Sequence, residues 1–249
     1  MPRFFLENID KEFKKNELIN TDNPVLTGED ARHIGRSLRM KPGEKITVCS
    51  CGTDYFCEIS SITEDTVFLN IKEQKLCSAE PSVDLTLFQA IPKQDKLEHI
   101  IQKSVELGVS KIVPVLTRRC VSRPDKKDFE KKLVRLNKIA LEAAKQSGRG
   151  IIPTVEPMIS FDEAIIQMKE YDCPAMLYEE GGIRFSELNT QEKKSFALFV
   201  GSEGGFDESE AEAAREAGIA SIWLGERILR CETAPLTAIS ILMFITKNL

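Results

Sequence analysis

Two stretches near the end of the chain combine residues that can hold a ligand with residues that can carry charge. In residues 196–207 an apolar run leads straight into Gly201, Ser202, Glu203, Gly204 and Gly205, followed by Phe206 and Asp207. Glycines at the carboxyl end of a strand let the backbone turn tightly and approach a flat or charged ligand with no Cβ in the way. The spacing is neither a Walker loop nor the dinucleotide fingerprint, so alone it fits a plain strand-to-helix turn as well as a ligand loop. The second stretch repeats the arrangement: residues 219–224 end at Gly225, and Arg227, Arg230 and Glu232 then surround Ile228 and Leu229 ahead of an apolar helix. Unpaired charges entering a core are costly. These charges therefore either form a structural ion-pair network or face a pocket.

The surrounding elements must place these loops. From Val83 onward, strand-like runs at residues 83–91, 111–116, 173–178, 195–201 and 220–224 alternate with helical stripes, the pattern of a mostly parallel sheet with helices on both faces. Residues 97–107 form one stripe, ending at Gly108, and residues 127–147 a longer one, ending at Gly148. Ser160 with Glu163, and Asp207 with Glu210, are capping boxes that start two further helices. The first seventy residues read differently. Short runs at 45–51, 55–62 and 66–72, separated by turn residues, predict a compact β unit, and residues 73–81 a polar linker.

The chain has 249 residues and a net charge of −5, which taken whole disfavours a nucleic-acid partner. The distribution reverses that: residues 93–150 hold fifteen Lys and Arg against seven Asp and Glu, whereas residues 151–249 hold eight against seventeen. A polyanion can bind the middle and ignore the end. Arg118, Arg119 and Arg123 crowd one loop of the basic stretch, Arg149 lies at its end, and Arg32, Arg36 and Arg39 recur at helical spacing. Seven scattered cysteines predict reduced thiols, and neither histidine is spaced with Cys49, Cys51 and Cys57 as a zinc site requires, so no metal is expected. Residues 1–8 do not read as an export signal, and the apolar residues 236–245 are too short to cross a bilayer. The expected location is the cytoplasm.

Four stretches together resemble the RsmE family of small-subunit ribosomal RNA uridine-N3 methyltransferases, in the SPOUT superfamily. They are Pro2-Arg3-Phe4-Phe5, the run from His33 to Met40, the run from Glu142 to Arg149, and the paired C-terminal loops. The resemblance implies an α/β protein with an N-terminal PUA-like RNA-binding β-barrel, residues 1–73. A SPOUT methyltransferase domain, residues 74–249, would follow, with a trefoil knot at about residues 175–245. It implies S-adenosyl-L-methionine (SAM) as cofactor, bound by Leu177, Gly201, Glu203, Gly205, Leu224, Gly225, Ile228, Leu229, Arg230 and Ala234. It also implies 16S rRNA or the small ribosomal subunit as partner, and a homodimer whose interface includes residues 236–245.

Within that resemblance Arg230 is the candidate to stabilise a uridine anion, and Glu232 or Glu203 to take its proton. Ser202 departs from the family's usual proline and predicts a slightly looser loop. Two other readings stand beside this one: a SPOUT enzyme acting on a ribose hydroxyl or another base, and a non-catalytic RNA-binding assembly factor.

Overall fold

The computed structural model describes residues 1–6 and 24–249. Glu7 and Asn8, in the stretch read for an export signal, lie outside the described residues. The chain divides into two units, Met1–Glu80 with Lys145–Ile151 and Pro81–Ala144 with Ile152–Leu249.

The first unit is a five-stranded sheet built from β1 (Arg3–Phe5), β2 (Val25–Thr27), β3 (Lys45–Ser50), β4 (Thr53–Ile62) and β5 (Thr66–Leu76), in the order β1-β3-β4-β5-β2. β3, β4 and β5 form the predicted antiparallel meander. Alternate residues Ile46, Val48, Cys57, Ile59, Val67 and Leu69 point inward onto Phe4, Leu26 and Ile34, as period-two patterning dictates. β5 runs four residues into the expected linker, because residues 73–76 pair with residues 53–56. Among the described strands β1 and β2 remain open edges, so the expected barrel is a half-barrel; each edge strand has three residues, too few to close the sheet.

The arginines at 32, 36 and 39 do not share one regular helical face. Helix α1 (Gly28–Arg32) passes into a wider turn at His33–Ser37, and Arg39 sits beyond it with φ 53°. A wider turn shifts the angular spacing of side chains, and a positive φ ends the helix.

The second unit alternates as predicted: β6 (Asp84–Ala90), α2 (Lys96–Glu106), β7 (Lys111–Leu116), α3 (Lys126–Ser147), β8 (Thr154–Val155), β9 (Ile159–Ser160), α4 (Phe161–Met168), β10 (Cys173–Leu177), β11 (Ser195–Val200), α5 (Glu208–Glu216), β12 (Ala220–Ile222) and α6 (Ala234–Ile245). The last three residues of α3 count with the first unit. The sheet order is β12-β10-β11-β6-β7-β8, with β9 also on β7, and every pair is parallel. All carboxyl ends therefore open on one edge. The chain leaves β6 toward β7 but leaves β11 toward β10 and β12, so the boundary between β6 and β11 is a topological switch point, where open α/β sheets place ligands.

Both predicted capping boxes form, at Ser160 with Glu163 and at Asp207 with Glu210. Phe206, fully inside the core, meets the Phe199 ring edge-on at 4.8 Å. That contact anchors the far end of the glycine loop to the strand that begins it. α6 packs against α2 and β11. No helix among the described residues is long and apolar enough to cross a membrane.

Candidate functional site

Because β10, β11 and β12 lie parallel, the segments that leave them converge. Leu177 to Glu179, Val200 to Gly205 and Ile222 to Arg230 line one cavity of about 600 Å³, together with Lys96, Cys231 and Ala234. All ten residues expected to bind a cofactor line it. The glycines have distinct reasons to be there. A Cβ at Gly205, whose φ is 65°, would collide with the Glu179 carboxylate, and one at Gly201 would come within 3.1 Å of the Gly205 backbone. Only a side-chain-free backbone lets the loop fold this tightly.

The three chemical candidates separate. Arg230 is exposed at the cavity, and its guanidinium makes no hydrogen bond or ion pair among the described residues, so it is not part of a structural ion-pair network. Glu232 is part of one. Its Oε2 lies 3.1 Å from Lys96 Nζ, which also lies 3.2 Å from Glu203 Oε1. Glu203 lines the cavity and Glu232 does not; Lys96 joins them.

Burial pushes the Glu203 carboxyl up, but backbone amides, that of Lys93 among them, and Lys96 bring it below its ordinary value. Burial likewise raises Glu232, and Lys96 with the Cys231 thiol outweighs it. The same carboxylates raise the Lys96 ammonium. The site therefore holds one cation between two ionised carboxylates. Cys231, pushed up to about 12 by burial and by its hydrogen bond to Glu232, is a thiol and no nucleophile at neutral pH.

The arginine loop after β7 stands beside the glycine loop. Arg119 donates to the Gly204 carbonyl at 3.2 Å and lies 3.8 Å from Asp207, while Arg118 donates to Ser209 at 2.6 Å and lies 3.7 Å from Asp207. Both remain substantially exposed, with side chains 68% and 41% accessible for Arg118 and Arg119. Arg123 is engaged otherwise: it donates to the carbonyls of Thr117, Arg118 and Cys120 and so closes its own loop. Arg149, expected to face RNA, is buried in the first unit with Glu80 bound at 2.9 Å through Nε and again through a terminal nitrogen. A guanidinium so enclosed presents no surface to phosphate, and spacing alone could not distinguish it from an exposed one. Arg32 and Arg36 are exposed, Arg36 lying 3.4 Å from Glu64.

Lys96 and Glu179 escaped the sequence reading. Each follows a strand end, but nothing local says that β6 neighbours β11, or β10 neighbours β12.

Comparison with known proteins places this geometry. Residues 79–243 match the RNA methyltransferase domain family and residues 26–72 the RNA methyltransferase PUA domain family. Along its whole length the chain is 35% identical to the ribosomal RNA small subunit methyltransferase E of Bacillus subtilis, covering 98% of that protein. The chain belongs to the RsmE family. The same name attaches to a Neisseria gonorrhoeae crystal structure bound to S-adenosyl methionine, 31% identical, with 98% of each chain covered and a TM-score of 0.85. A Legionella pneumophila methyltransferase solved with bound SAM is 28% identical, again with 98% of each chain covered and a TM-score of 0.83. The RsmE assignment accounts for both units: the half-barrel is the PUA-like part, and the parallel α/β sheet belongs to the methyltransferase part.

Proposed function

We propose that this RsmE-family protein transfers a methyl group from SAM to N3 of a specific uridine in 16S rRNA of the small ribosomal subunit. The observation that carries the reading is that one cavity at the ends of β10, β11 and β12 is lined by all ten residues expected to hold SAM. Its size lies within the roughly 300–1,000 Å³ of small-molecule sites. A Cβ at Gly225 would meet nothing within 4 Å, so the backbone there is a cradle with room for a ligand.

SAM, when bound, supplies a methyl group on a sulfonium leaving group. The chain's own task is to position the base and to favour its anion. Arg230, whose guanidinium has no partner among the described residues, faces that anion with a fork of donors. Glu203 or Glu232 accepts the N3 proton, directly or through water; both are ionised and so able to accept it. Arg118 and Arg119 at the cavity's neighbouring loop, with Arg32 and Arg36 in the first unit, supply phosphate contacts. Residues 1–73 serve as the RNA-binding part and residues 74–249 as the catalytic part.

The C-terminal trefoil knot, at about residues 175–245, belongs to the same proposal. Its support is local. The segment after β10 returns to β12, where the Ile183 amide donates to the Ser221 carbonyl and the Trp223 amide to the Ile183 carbonyl, each at 2.9 Å. The chain then runs back so that α6 reaches β11 and α2. A homodimer is supported by α6, which buries Ala238, Ile239 and Leu242 but leaves Phe244 69% exposed. The cytoplasm, where ribosomes are made and thiols stay reduced, fits seven free cysteines.

The test is the product. Small-subunit RNA lacking the modification is incubated with protein and SAM, digested to nucleosides and examined by mass spectrometry against authentic standards. 3-Methyluridine is expected; a 2′-O-methylated nucleoside or another methylated base overturns the assignment of the target atom, and no methylation overturns the enzyme reading.

A further inference from the structure

Lys96 opens α2, and a cation in the first turn is where a helix disfavours one, because the amide dipoles there are already positive outward. Its ammonium is held by two carboxylates from different parts of the chain, Glu203 at 3.2 Å and Glu232 at 3.1 Å, with all three side chains about a quarter exposed. Glu203 stands in the loop after β11, and Glu232 in the turn that leads into α6. Both loops contribute residues to the cavity wall. Each is tied further: the Lys93 amide donates to Glu203 at 3.1 Å, and the Cys231 thiol donates to Glu232 at 3.3 Å. Lys96 is thus the one group in this cluster that touches both loops and the helix behind them.

We propose that Lys96 is a positioning residue that locks the two cofactor loops against the start of α2. The proposal rests on the methyltransferase reading for its ligand, but its mechanics are the protein's own. With the ammonium removed, Glu203 and Glu232 face each other within two hydrogen-bond lengths, and like charges at that range repel. The loops then part, and the cavity loses the shape that Gly201, Gly225 and Leu229 give it. Lys96 touches neither base nor methyl group in this role.

The test uses S-adenosylhomocysteine binding by calorimetry, together with hydrogen exchange of the protein alone. Lys96→Met is expected to weaken binding about tenfold, the order of one charged hydrogen bond. Lys96→Arg should stay within about threefold of wild type, since the guanidinium also bridges two carboxylates. Adding Glu232→Gln to Lys96→Met should recover at least about threefold, because a neutral amide no longer repels Glu203. In the unliganded protein Lys96→Met should speed exchange in residues 201–205 and 224–232 and leave α4 unchanged. Unchanged exchange in those loops, an arginine variant as weak as the methionine one, or no recovery in the double variant overturns the lock. Wild type that binds no S-adenosylhomocysteine overturns the methyltransferase reading instead, whatever the exchange shows.

Discussion

Gly225 holds its backbone at φ 111°, a region that L side chains rarely adopt, and a Cβ built there points into open space. Two costs follow from any substitution: backbone strain of about 1–3 kcal/mol and intrusion into the proposed ligand space. Gly225→Val is therefore expected to melt slightly earlier yet remain folded, while losing at least about a hundredfold in SAM affinity. Calorimetry beside a melting curve separates the two effects, and undiminished affinity would move the pocket elsewhere. Ser202 changes its meaning at the same scale. Sequence alone predicts a slacker loop, since serine lacks proline's fixed φ. In the fold the residue is buried, its hydroxyl donates to the Arg119 carbonyl at 3.3 Å, and its own carbonyl accepts from the Gly205 amide at 3.0 Å. The side chain that removes one constraint supplies another.

Between β7 and α3, three arginines that look equivalent in sequence do different work. Arg123 satisfies three carbonyls of its own loop, whereas Arg118 and Arg119 reach toward α5 and keep accessible surface. Each phosphate contact contributes nearly one unit to the slope of log affinity against log salt. Replacing Arg118 and Arg119 together by Ala should lower that slope by about two in RNA binding followed across salt concentrations. A slope equal to wild type would assign both side chains to a solvated surface. The basic 32–39 stretch shows the limit of spacing arguments. Residues three or four apart share a face only while the helix stays regular, and here it widens at His33–Ser37.

At the scale of the whole molecule, pH reaches the fold through the first unit. Arg3 clasps Asp54 at 2.8 and 3.0 Å, and Arg3 also donates to the Arg149 carbonyl at 3.1 Å. Burial pushes the Asp54 carboxyl up, yet Arg3 and Cys49 outweigh it and hold the group below its ordinary value. A carboxylate depressed in the folded state binds its proton more readily when unfolded. Its stabilisation is complete above about pH 4, the unfolded value, and drains away as pH falls through the lower folded value. Asp54→Asn should consequently lower the melting temperature at pH 7, by an amount corresponding to about 3 kcal/mol, and flatten the loss of stability below pH 4. Melting curves from pH 7 to pH 2 check this; a variant as steep as wild type in acid would place the sensitivity in other carboxylates.

What the residues alone determined was local or patterned. The helices and parallel strands follow from hydrophobic period, and the starts of α4 and α5 from capping boxes complete within four residues. Glycines after strands marked two stretches of the cavity lining, and the family resemblance supplied the ligand proposed for it. What only the tertiary structure decided was adjacency. That β6 lies beside β11 brings Lys96 to Glu203, and that α6 follows the turn beside them adds Glu232. Burial of Arg149 against Glu80 depends on two segments sixty-nine residues apart meeting in the first unit. Charge type is written in the sequence; whether a charge meets a partner, a pocket or water depends on which distant segments pack beside it, and pairing across such distances leaves no periodic trace.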